Sequence, residues 1–219
     1  MITRSEKILK QNLLYTSRAN IDSMNKTWIT SDLHFYHTNI IKYCPESRGH
    51  FESVEQMNQA IIDNINADVA PDDTLYMLGD IGFASADKLV KCISQIACRN
   101  KILIHGNHDM KFIKTTEFLC NLDSMGIIEH VPYKRIVYKG HAQEKSVLMC
   151  LFHFPIESWD SCGHGSIHLH GHCHSGSNQV IDRRRMDVGM DSNNMQPYDM
   201  DLVVQKLLTL PANPYATAA

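Results

Sequence analysis

Five apolar segments of the chain each end in a cluster of Asp, Asn, His and Gly, and this repeated pattern constrains the fold more than any other feature of the sequence. The clusters follow one another in the order Asp32-Leu33-His34, Gly79-Asp80, Gly106-Asn107-His108-Asp109, His153 and Gly171-His172-Cys173-His174. The carboxyl ends of parallel strands lie at one edge of an α/β sheet, where ligands collect. We therefore expect all five clusters to converge on one crevice of an α/β fold.

Helical patterns alternate with strands in the first half of the chain, and strands dominate the second half. A capping box, Ser53-x-x-Gln56, opens one helix, and further helices are predicted over 86–97, 112–125 and 201–208. A helical turn over 39–44 is expected to end at Pro45. Strands are predicted over 28–31, 74–78, 101–105, 127–131, 134–138, 146–152, 167–170 and 186–190. This order predicts a two-sheet α/β sandwich flanked by helices.

The chain divides into one domain and two short flanking segments. We expect the domain to span residues 28–210, because every motif and every predicted strand lies there. Residues 1–27 form an N-terminal extension outside the motif region, and residues 211–219 form a tail that we expect to be frayed. A length of 219 residues is compatible with a single α/β domain.

Composition excludes several classes of protein. The formal net charge of −3 gives no overall attraction to nucleic acid or to anionic membranes. No apolar run approaches the about 20 residues of a membrane helix, so we expect no membrane association. The seven cysteines show no C-x-x-C spacing, which favours reduced thiols and a cytoplasmic location. The 13 histidines direct attention to metal binding and proton transfer.

The polar clusters contain more metal-ligating side chains than one tetrahedral zinc needs. The candidate ligands are Asp32, His34, Asp80, Asn107, His153, His172 and His174. This set suits two divalent ions that share one carboxylate, and its mixture of imidazole and oxygen favours Mn, Fe, Zn, Ni or Co over Mg or Ca. Two such ions hydrolyse phosphate esters by supplying a hydroxide and polarising the phosphoryl oxygens. His108 is adjacent to a ligand but surplus to the count, so we predict that it is the general acid.

Substrate contacts are assigned on weaker patterns. His37 follows His34 by three residues. It either contacts the substrate or is an ordinary surface residue, and the sequence favours neither alternative. Arg184 and Arg185 belong to an arginine triplet that either clamps a phosphate through bidentate hydrogen bonds or forms a solvated loop. Arg48 is a weaker candidate for contact with a substrate phosphate.

The series D-x-H, G-D, G-N-H-D, H and G-H-x-H resembles the calcineurin-like metallophosphoesterase superfamily over residues 28–208. The segments WITSDLHFYH at 28–37 and RRMDVGMD at 184–191 are similar to its small stand-alone bacterial and phage members. The resemblance implies a four-layer α-β-β-α sandwich with His108 near the scissile bond. It also implies a ligand set for each of two metals, with Asp80 bridging them: Asp32, His34 and His174 for the first, and Asn107, His153 and His172 for the second.

We therefore expect a dinuclear-metal hydrolase of phosphate esters with manganese as the first choice of metal. A phosphodiesterase acting on nucleotides, nucleic-acid ends or another small phosphodiester is favoured, and a phosphomonoesterase or nucleotide pyrophosphatase is the alternative. Two further classes stay open at this point. One is a non-catalytic binding scaffold of the same fold, and the other is a nucleic-acid-binding module that uses Lys134, Arg135, Lys139 and the arginine triplet.

Overall fold

The strands of the protein form two sheets in a mixed α/β domain. The computed structural model describes residues 25–141, 143–176 and 179–212, so most of the predicted extension and tail lies outside the described residues. The strands are β1 Thr27–Thr30, β2 Thr74–Met77, β3 Asn100–Ile104, β4 Ile127–Val131, β5 Tyr133–Tyr138, β6 Val147–Phe152, β7 Ile167–His170, β8 Arg185–Asp187 and β9 Tyr198–Asp199. The helices are α1 Ile40–Tyr43, α2 Pro45–Arg48, α3 Val54–Asp68, α4 Ala86–Ser94, α5 Thr116–Cys120, α6 Leu122–Met125 and α7 Met200–Leu208.

Both sheets contain a parallel core, which brings the carboxyl ends of their strands to one edge. The first sheet has the order β4-β3-β2-β1-β9, in which β1 to β4 run parallel and β9 is antiparallel to β1. The second has the order β5-β6-β7-β8, with β6, β7 and β8 parallel and β5 antiparallel to β6. A single parallel bridge between Ser31 and Gly189 connects the segments that follow β1 and β8.

Two apolar cores hold these layers together. One contains Ile29 and Leu78 from the first sheet with Met149 and Leu169 from the second, and α7 contributes Val204 to it. The other packs the opposite face of β2 and β3 against α3, α4 and α5, through residues such as Leu75, Leu103, Ile61, Leu89 and Phe118. Burying apolar surface on both faces of the first sheet fixes the strand ends that carry the polar clusters.

Most of the predicted elements are present, with shifted ends. Ser53 begins α3 as predicted, since its Oγ accepts a hydrogen bond from the backbone N–H of Gln56 at 3.1 Å. The single helix predicted over 112–125 is wrong. Thr115 caps α5, Asn121 leaves the helical conformation at φ −110° and ψ 9°, and a separate short helix follows. Pro45 begins α2 instead of only ending a turn, because a proline fits the first position of a helix.

Two further differences concern the end of the chain. The strand predicted over 186–190 is confined to Arg185–Asp187, and a 3-10 turn at Met190–Ser192 follows it. The short strand β9 was not predicted, because two residues give no periodic signal. Among the residues that the structure describes, no helix combines the length and the apolar character needed to cross a membrane.

Candidate metal centre

The five polar clusters meet at one edge of the two sheets. The segment after β1 lies beside the segment after β2, where Asp32 N donates to Gly79 O at 3.0 Å and His34 N donates to Asp80 O at 3.0 Å. The segments after β6 and β7 are joined in the same way, by Gly171 N donating to His153 O at 2.9 Å. The structure thereby brings six of the seven predicted ligands into two groups of three. Within each group the ligand atoms lie within 4.8 Å of one another. The groups are Asp32, His34 and His174, and Asp80, His153 and His172.

Left-handed backbone conformations aim most of these side chains inward. The non-glycine residues with positive φ include Asp32 (58°), His34 (53°), Asp80 (54°), His172 (70°) and His174 (46°). Each such conformation costs about 1–3 kcal/mol and persists only where the surroundings enforce it. Five of seven candidate ligands therefore hold conformational strain, which is typical of a functional site.

Two glycines allow the loops to approach one another this closely. A Cβ at Gly106 would collide with the backbone N and the carboxylate of Asp80. A Cβ at Gly171 would collide with Ser31 Oγ and the carboxylate of Asp32. The glycines in the G-N-H-D and G-H-x-H motifs are thus required by close packing around the two aspartates.

The first group of ligands presents buried polar atoms that have no partner. Asp32 Oδ1 lies 3.7 Å from His34 Nε2 and 3.8 Å from His174 Nε2. Within the described part of the chain, Asp32 Oδ1 and His34 Nε2 are buried and make no hydrogen bond. Leaving such atoms without a partner costs about 1–3 kcal/mol each. A cation held among these three side chains would satisfy both of them.

The second group converges on acceptor atoms as well. His153 Nδ1 lies 2.7 Å from the carbonyl oxygen of Leu78, so this nitrogen donates and Nε2 of the neutral ring is an acceptor. Nε2 faces Asn107 Oδ1 at 3.0 Å and Asp80 Oδ2 at 3.4 Å. An imidazole nitrogen, an amide oxygen and a carboxylate oxygen are all atom types that bind a divalent transition metal. Asn107, the seventh predicted ligand, therefore lies in this group.

Asp80 lies between the two groups. Its Oδ2 is 3.4 Å from His153 Nε2 in the second group and 3.9 Å from His34 Nε2 in the first. Its other oxygen, Oδ1, accepts the backbone N–H of His108 at 3.0 Å, which fixes the orientation of the carboxylate. This is the position that one shared carboxylate needs in a site for two cations.

The electrostatics of the site favour positive charge. Burial raises the pKa of Asp32, but the nearby imidazoles of His34, His174 and His153 outweigh burial and lower the pKa to about 2. Burial lowers the pKa of His174, whereas its hydrogen bonds and the nearby carboxylates bring the pKa up to about 10. The pKa of His153 is raised against the effect of burial, mainly by Asp80. The lowered pKa values of Asp32 and Asp80 keep negative charge at the centre of the site, which suits a bound cation.

Arg48 is not a substrate contact, which corrects the prediction made for it. It is fully buried, and its guanidinium binds both carboxylate oxygens of Asp191, through Nε at 2.7 Å and Nη2 at 2.9 Å. Nη2 also donates to Asp32 O at 2.7 Å, and Nη1 to Leu33 O at 3.1 Å. Arg48 therefore ties the D-x-H loop to the segment after β8 and cannot reach a ligand.

Asp191 is a functional residue that sequence reasoning missed. Its Oδ2 lies 2.7 Å from His174 Nδ1, so the carboxylate accepts this N–H and leaves Nε2 of the ring directed at Asp32. An outer carboxylate of this kind fixes the tautomer and the orientation of a metal-binding histidine. The only signal in the sequence was that Asp191 closes the segment RRMDVGMD, for which no role was assigned.

Replacing Arg48 by Met is expected to destabilise the protein by about 3–5 kcal/mol, because it leaves the Asp191 carboxylate buried without its guanidinium partner. Urea unfolding of the metal-free protein measures the free energy. Arg99→Met is the matched control, since Arg99 and its partner Asp72 are both exposed, and it should cost less than about 1 kcal/mol. Equal losses in the two variants would contradict the role given to Arg48.

Asp109 organises the loops around Asp80 and is not in either ligand group. Its buried carboxylate accepts the backbone N–H groups of Gly106 at 2.7 Å, Ile81 at 2.8 Å and Asp80 at 3.0 Å. Asp109 therefore fixes the backbone of the G-D and G-N-H-D segments around Asp80.

The variant Asp109→Asn is expected to lose about 1–3 kcal/mol of unfolding free energy, because the amide keeps one acceptor oxygen and turns an NH2 group towards backbone donors. Affinity for the second metal should fall in parallel, by about 10–100-fold. Thermal unfolding and metal titration measure the two effects. Asp68→Asn, at an exposed site on α3, should change neither, and an unchanged Asp109→Asn protein would refute the interpretation.

A cleft of about 500 Å³ opens over the two groups and is lined by Asp80, His108, His172 and His174, among others. The side chain of His108 is 37% exposed, and its Nε2 lies 3.8 Å from Asp80 Oδ2. The ring is thus beside the candidate metal centre and open to the cleft. Its predicted role as general acid is compatible with this position and stays a prediction.

Phe83, which the sequence did not single out, packs the histidines that surround the cleft. Its ring stacks on His37 with centroids 3.9 Å apart and contacts His108 at 4.3 Å. His37 lines the cleft, and its Nδ1 lies 3.1 Å from His34 Nδ1. Contact between His37 and a substrate stays a prediction, and the structure adds a contact that orients a candidate ligand.

Arg184 and Arg185 do not face the cleft, which corrects the predicted phosphate clamp. The guanidinium of Arg184 donates to the carbonyl oxygens of Gly165, Leu208 and Leu210 at 2.7, 3.4 and 3.0 Å. Arg185 donates to Ile156 O at 3.0 Å and to the carboxylate of Glu157 at 3.1 Å. Both lie at the start of β8, at the opposite end from the strand edge that carries the ligands.

Comparison with known proteins identifies relatives for which no activity is stated. No family model matches the chain. The "Uncharacterized protein MJ1445" of Methanocaldococcus jannaschii is 32% identical over 190 residues, which cover 84% of this chain and 92% of that protein. The "Gene 66 protein" of Mycobacterium phage L5 is 29% identical over 187 residues, which cover 77% of this chain and 88% of that protein. The crystal structure of AQ665 from Aquifex aeolicus, a protein of unknown function, matches with a TM-score of 0.60 and 26% identity, covering 84% of this chain and all of the other.

Proposed function

This chain belongs to the family of the uncharacterized protein MJ1445 of Methanocaldococcus jannaschii, and we propose that it is a dinuclear-metal hydrolase of phosphate esters. The observation that carries the proposal is the position of Asp80 between two ligand groups, one of which contains unpartnered buried atoms. A single bound metal ion would use only one of the two ligand groups. Phosphate-ester hydrolysis is a reaction that two neighbouring cations serve well.

The proposed fold is a four-layer α-β-β-α sandwich of the calcineurin-like metallophosphoesterase type. The two facing sheets and the helices on the outer face of the first sheet support this assignment. The order of the five motifs along the chain supports it independently, since the resemblance to that superfamily rests on them.

The residues of the site fit two transition-metal ions. Asp32, His34 and His174 would hold the first, Asn107, His153 and His172 the second, and Asp80 would be shared. Four imidazoles with carboxylate and amide oxygens favour manganese, with iron, zinc, nickel or cobalt as alternatives. When bound, such ions supply Lewis acidity to the phosphoryl group and a nucleophile at neutral pH.

The remaining chemistry falls to side chains of this chain. Net hydrolysis adds water across one P–O bond, so phosphorus gains a hydroxyl group and the leaving oxygen gains a proton. His108 is the group placed to donate that proton, because its ring borders the cleft beside Asp80. Asp191 and Arg48 keep His174 in its orientation, and the ring of Phe83 packs against His108. The seven free cysteines support a reducing compartment such as the cytoplasm.

The test is a metal-reconstitution assay on the full chain. Protein stripped with EDTA is expected to show no turnover of bis-p-nitrophenyl phosphate, and Mn²⁺ is expected to restore it more effectively than Mg²⁺ or Ca²⁺. Parallel assays with p-nitrophenyl phosphate and a nucleotide pyrophosphate distinguish a diesterase from the two alternative activities. Absence of turnover of every substrate with every transition metal would overturn the proposal and favour a binding protein.

A further inference from the structure

Cys44 lies beside the candidate metal centre and belongs to neither of its two ligand groups. Its sulfur, a ring nitrogen of His174 and a carboxylate oxygen of Asp191 lie within 4.8 Å of one another. These three side chains form a third group of potential metal ligands, which shares His174 with the first ligand group. The proposed hydrolysis uses Asp191 to orient His174 and gives Cys44 no role.

Helix α2 brings the thiol of Cys44 close to the carboxylate of Asp191. Cys44 is the residue before α2, and its carbonyl oxygen accepts the backbone N–H of Arg48 at 2.8 Å. Ser47 and Arg48, on the same helix, both donate to the carboxylate of Asp191. Cys44 is only half-buried and lines the cleft over the metal centre as well as a neighbouring groove of about 890 Å³. Its side chain is therefore accessible to an ion from solvent.

The third group differs from the first in the ions that it favours. A thiolate selects thiophilic ions such as zinc, whereas manganese suits carboxylate and water ligands. Zinc binds Cys, His and Asp side chains and can hold a water molecule in a fourth position. Asp191 can bind such an ion without releasing Arg48, because the ion would replace only the N–H of His174 at Oδ2. The bonds from Arg48 Nε and Nη2 would remain.

His174 can serve only one of the two cations at a time. Its Nδ1 lies 2.7 Å from Asp191 Oδ2 and its Nε2 lies 3.8 Å from Asp32 Oδ1. A neutral imidazole carries hydrogen on one nitrogen and a free lone pair on the other. With hydrogen on Nδ1, the lone pair of Nε2 is available to the first metal. An ion on Nδ1 leaves the hydrogen on Nε2, so the first group loses a ligand.

We propose that Cys44, His174 and Asp191 form an inhibitory site for one thiophilic divalent ion such as zinc, which takes His174 away from the first metal of the centre. Binding replaces the hydrogen of the thiol by a metal–sulfur bond, and the proton passes to solvent. The inhibitory role rests on the proposed hydrolase function. The site itself rests only on the positions and chemistry of three side chains.

Cadmium is the probe for the site, because a cadmium–thiolate bond gives an ultraviolet charge-transfer band. The manganese-loaded full chain is expected to bind one equivalent of cadmium with this band and to release one manganese ion. Cys44→Ser and Cys44→Ala should lack the band of this first equivalent. Cys162→Ser is the matched control and should keep it, since Cys162 is also half-buried but lines neither the cleft nor the groove. Release of manganese without the band, or an unchanged band in both Cys44 variants, would overturn the proposal.

Zinc inhibition tests the functional consequence. Zinc is expected to inhibit hydrolysis of bis-p-nitrophenyl phosphate by the manganese-loaded protein, and added manganese should relieve the inhibition. The half-inhibitory zinc concentration should rise at least about tenfold in Cys44→Ser, because even partners outside the coordination shell change metal affinity by about 10–100-fold. Equal inhibition of both proteins would place zinc at the dinuclear centre and overturn the inhibitory role. Absence of turnover with manganese alone would instead remove the hydrolase function, and the cadmium band would still decide whether the site exists.

Discussion

Replacing Asp80 by Asn is expected to lower kcat for bis-p-nitrophenyl phosphate by about a thousandfold or more and to release both metal ions. The amide oxygen can still accept the N–H of His108, so the loop should keep its shape. What the variant loses is the negative charge between His34 and His153, whose ring nitrogens lie 3.9 and 3.4 Å from Asp80 Oδ2. Two cations held side by side would repel each other, so we expect that without the shared carboxylate neither group would retain an ion.

The measurement combines steady-state kinetics with metal analysis of the dialysed protein. Wild-type chain is expected to carry two ions and the Asp80→Asn variant close to none. Asp87→Asn is the matched control, because Asp87 is exposed and paired with Lys91 on α4. An Asp80→Asn protein that retains two ions and a kcat within tenfold of wild type would refute a shared-carboxylate centre.

Replacing His108 by Ala is expected to slow hydrolysis of esters with alkoxide leaving groups by about 10²–10⁴-fold, with metal content unchanged. An alkoxide needs a proton as the P–O bond breaks, whereas p-nitrophenolate leaves readily without one. The effect on bis-p-nitrophenyl phosphate should therefore be much smaller. The backbone N–H of His108, which Asp80 accepts at 3.0 Å, remains in the variant.

The comparison that tests this role is between a dinucleoside monophosphate and the p-nitrophenyl diester of one nucleoside, each measured with both proteins. His164→Ala, at an exposed histidine in the 3-10 turn Cys162–His164, should leave both rates unchanged. Equal slowing of the two substrates in His108→Ala would show that the ring contributes to binding or packing and does not supply the proton.

Local sequence signals predicted the elements of the fold where one interaction dominates. The capping box at Ser53 and the apolar periodicity after it place α3 correctly, since both act within a few residues. Gly126 ends a helix at φ 66°, as its lack of a side chain allows. The region before it was predicted poorly: the helix ends at Asn121, whose side-chain amide donates to Glu117 O at 2.7 Å, and the apolar periodicity that was used for the prediction does not report such a cap.

The sequence by itself determined which chemistry the site contains. Residue types and their order along the chain specify the seven candidate ligands, because each stands at a strand end and parallel strands bring those ends together. Only the tertiary structure decided the roles of the charged residues around them. Arg48 and Asp191 are separated by 143 positions, and Arg184 belongs to a triplet that was predicted to clamp a phosphate, so no spacing rule relates these residues to the candidate ligands. Their roles follow from burial and from the partner that each side chain meets in the folded protein. A guanidinium in water can bind a phosphate. A guanidinium that is enclosed by a carboxylate and carbonyl oxygens can only stabilise the structure.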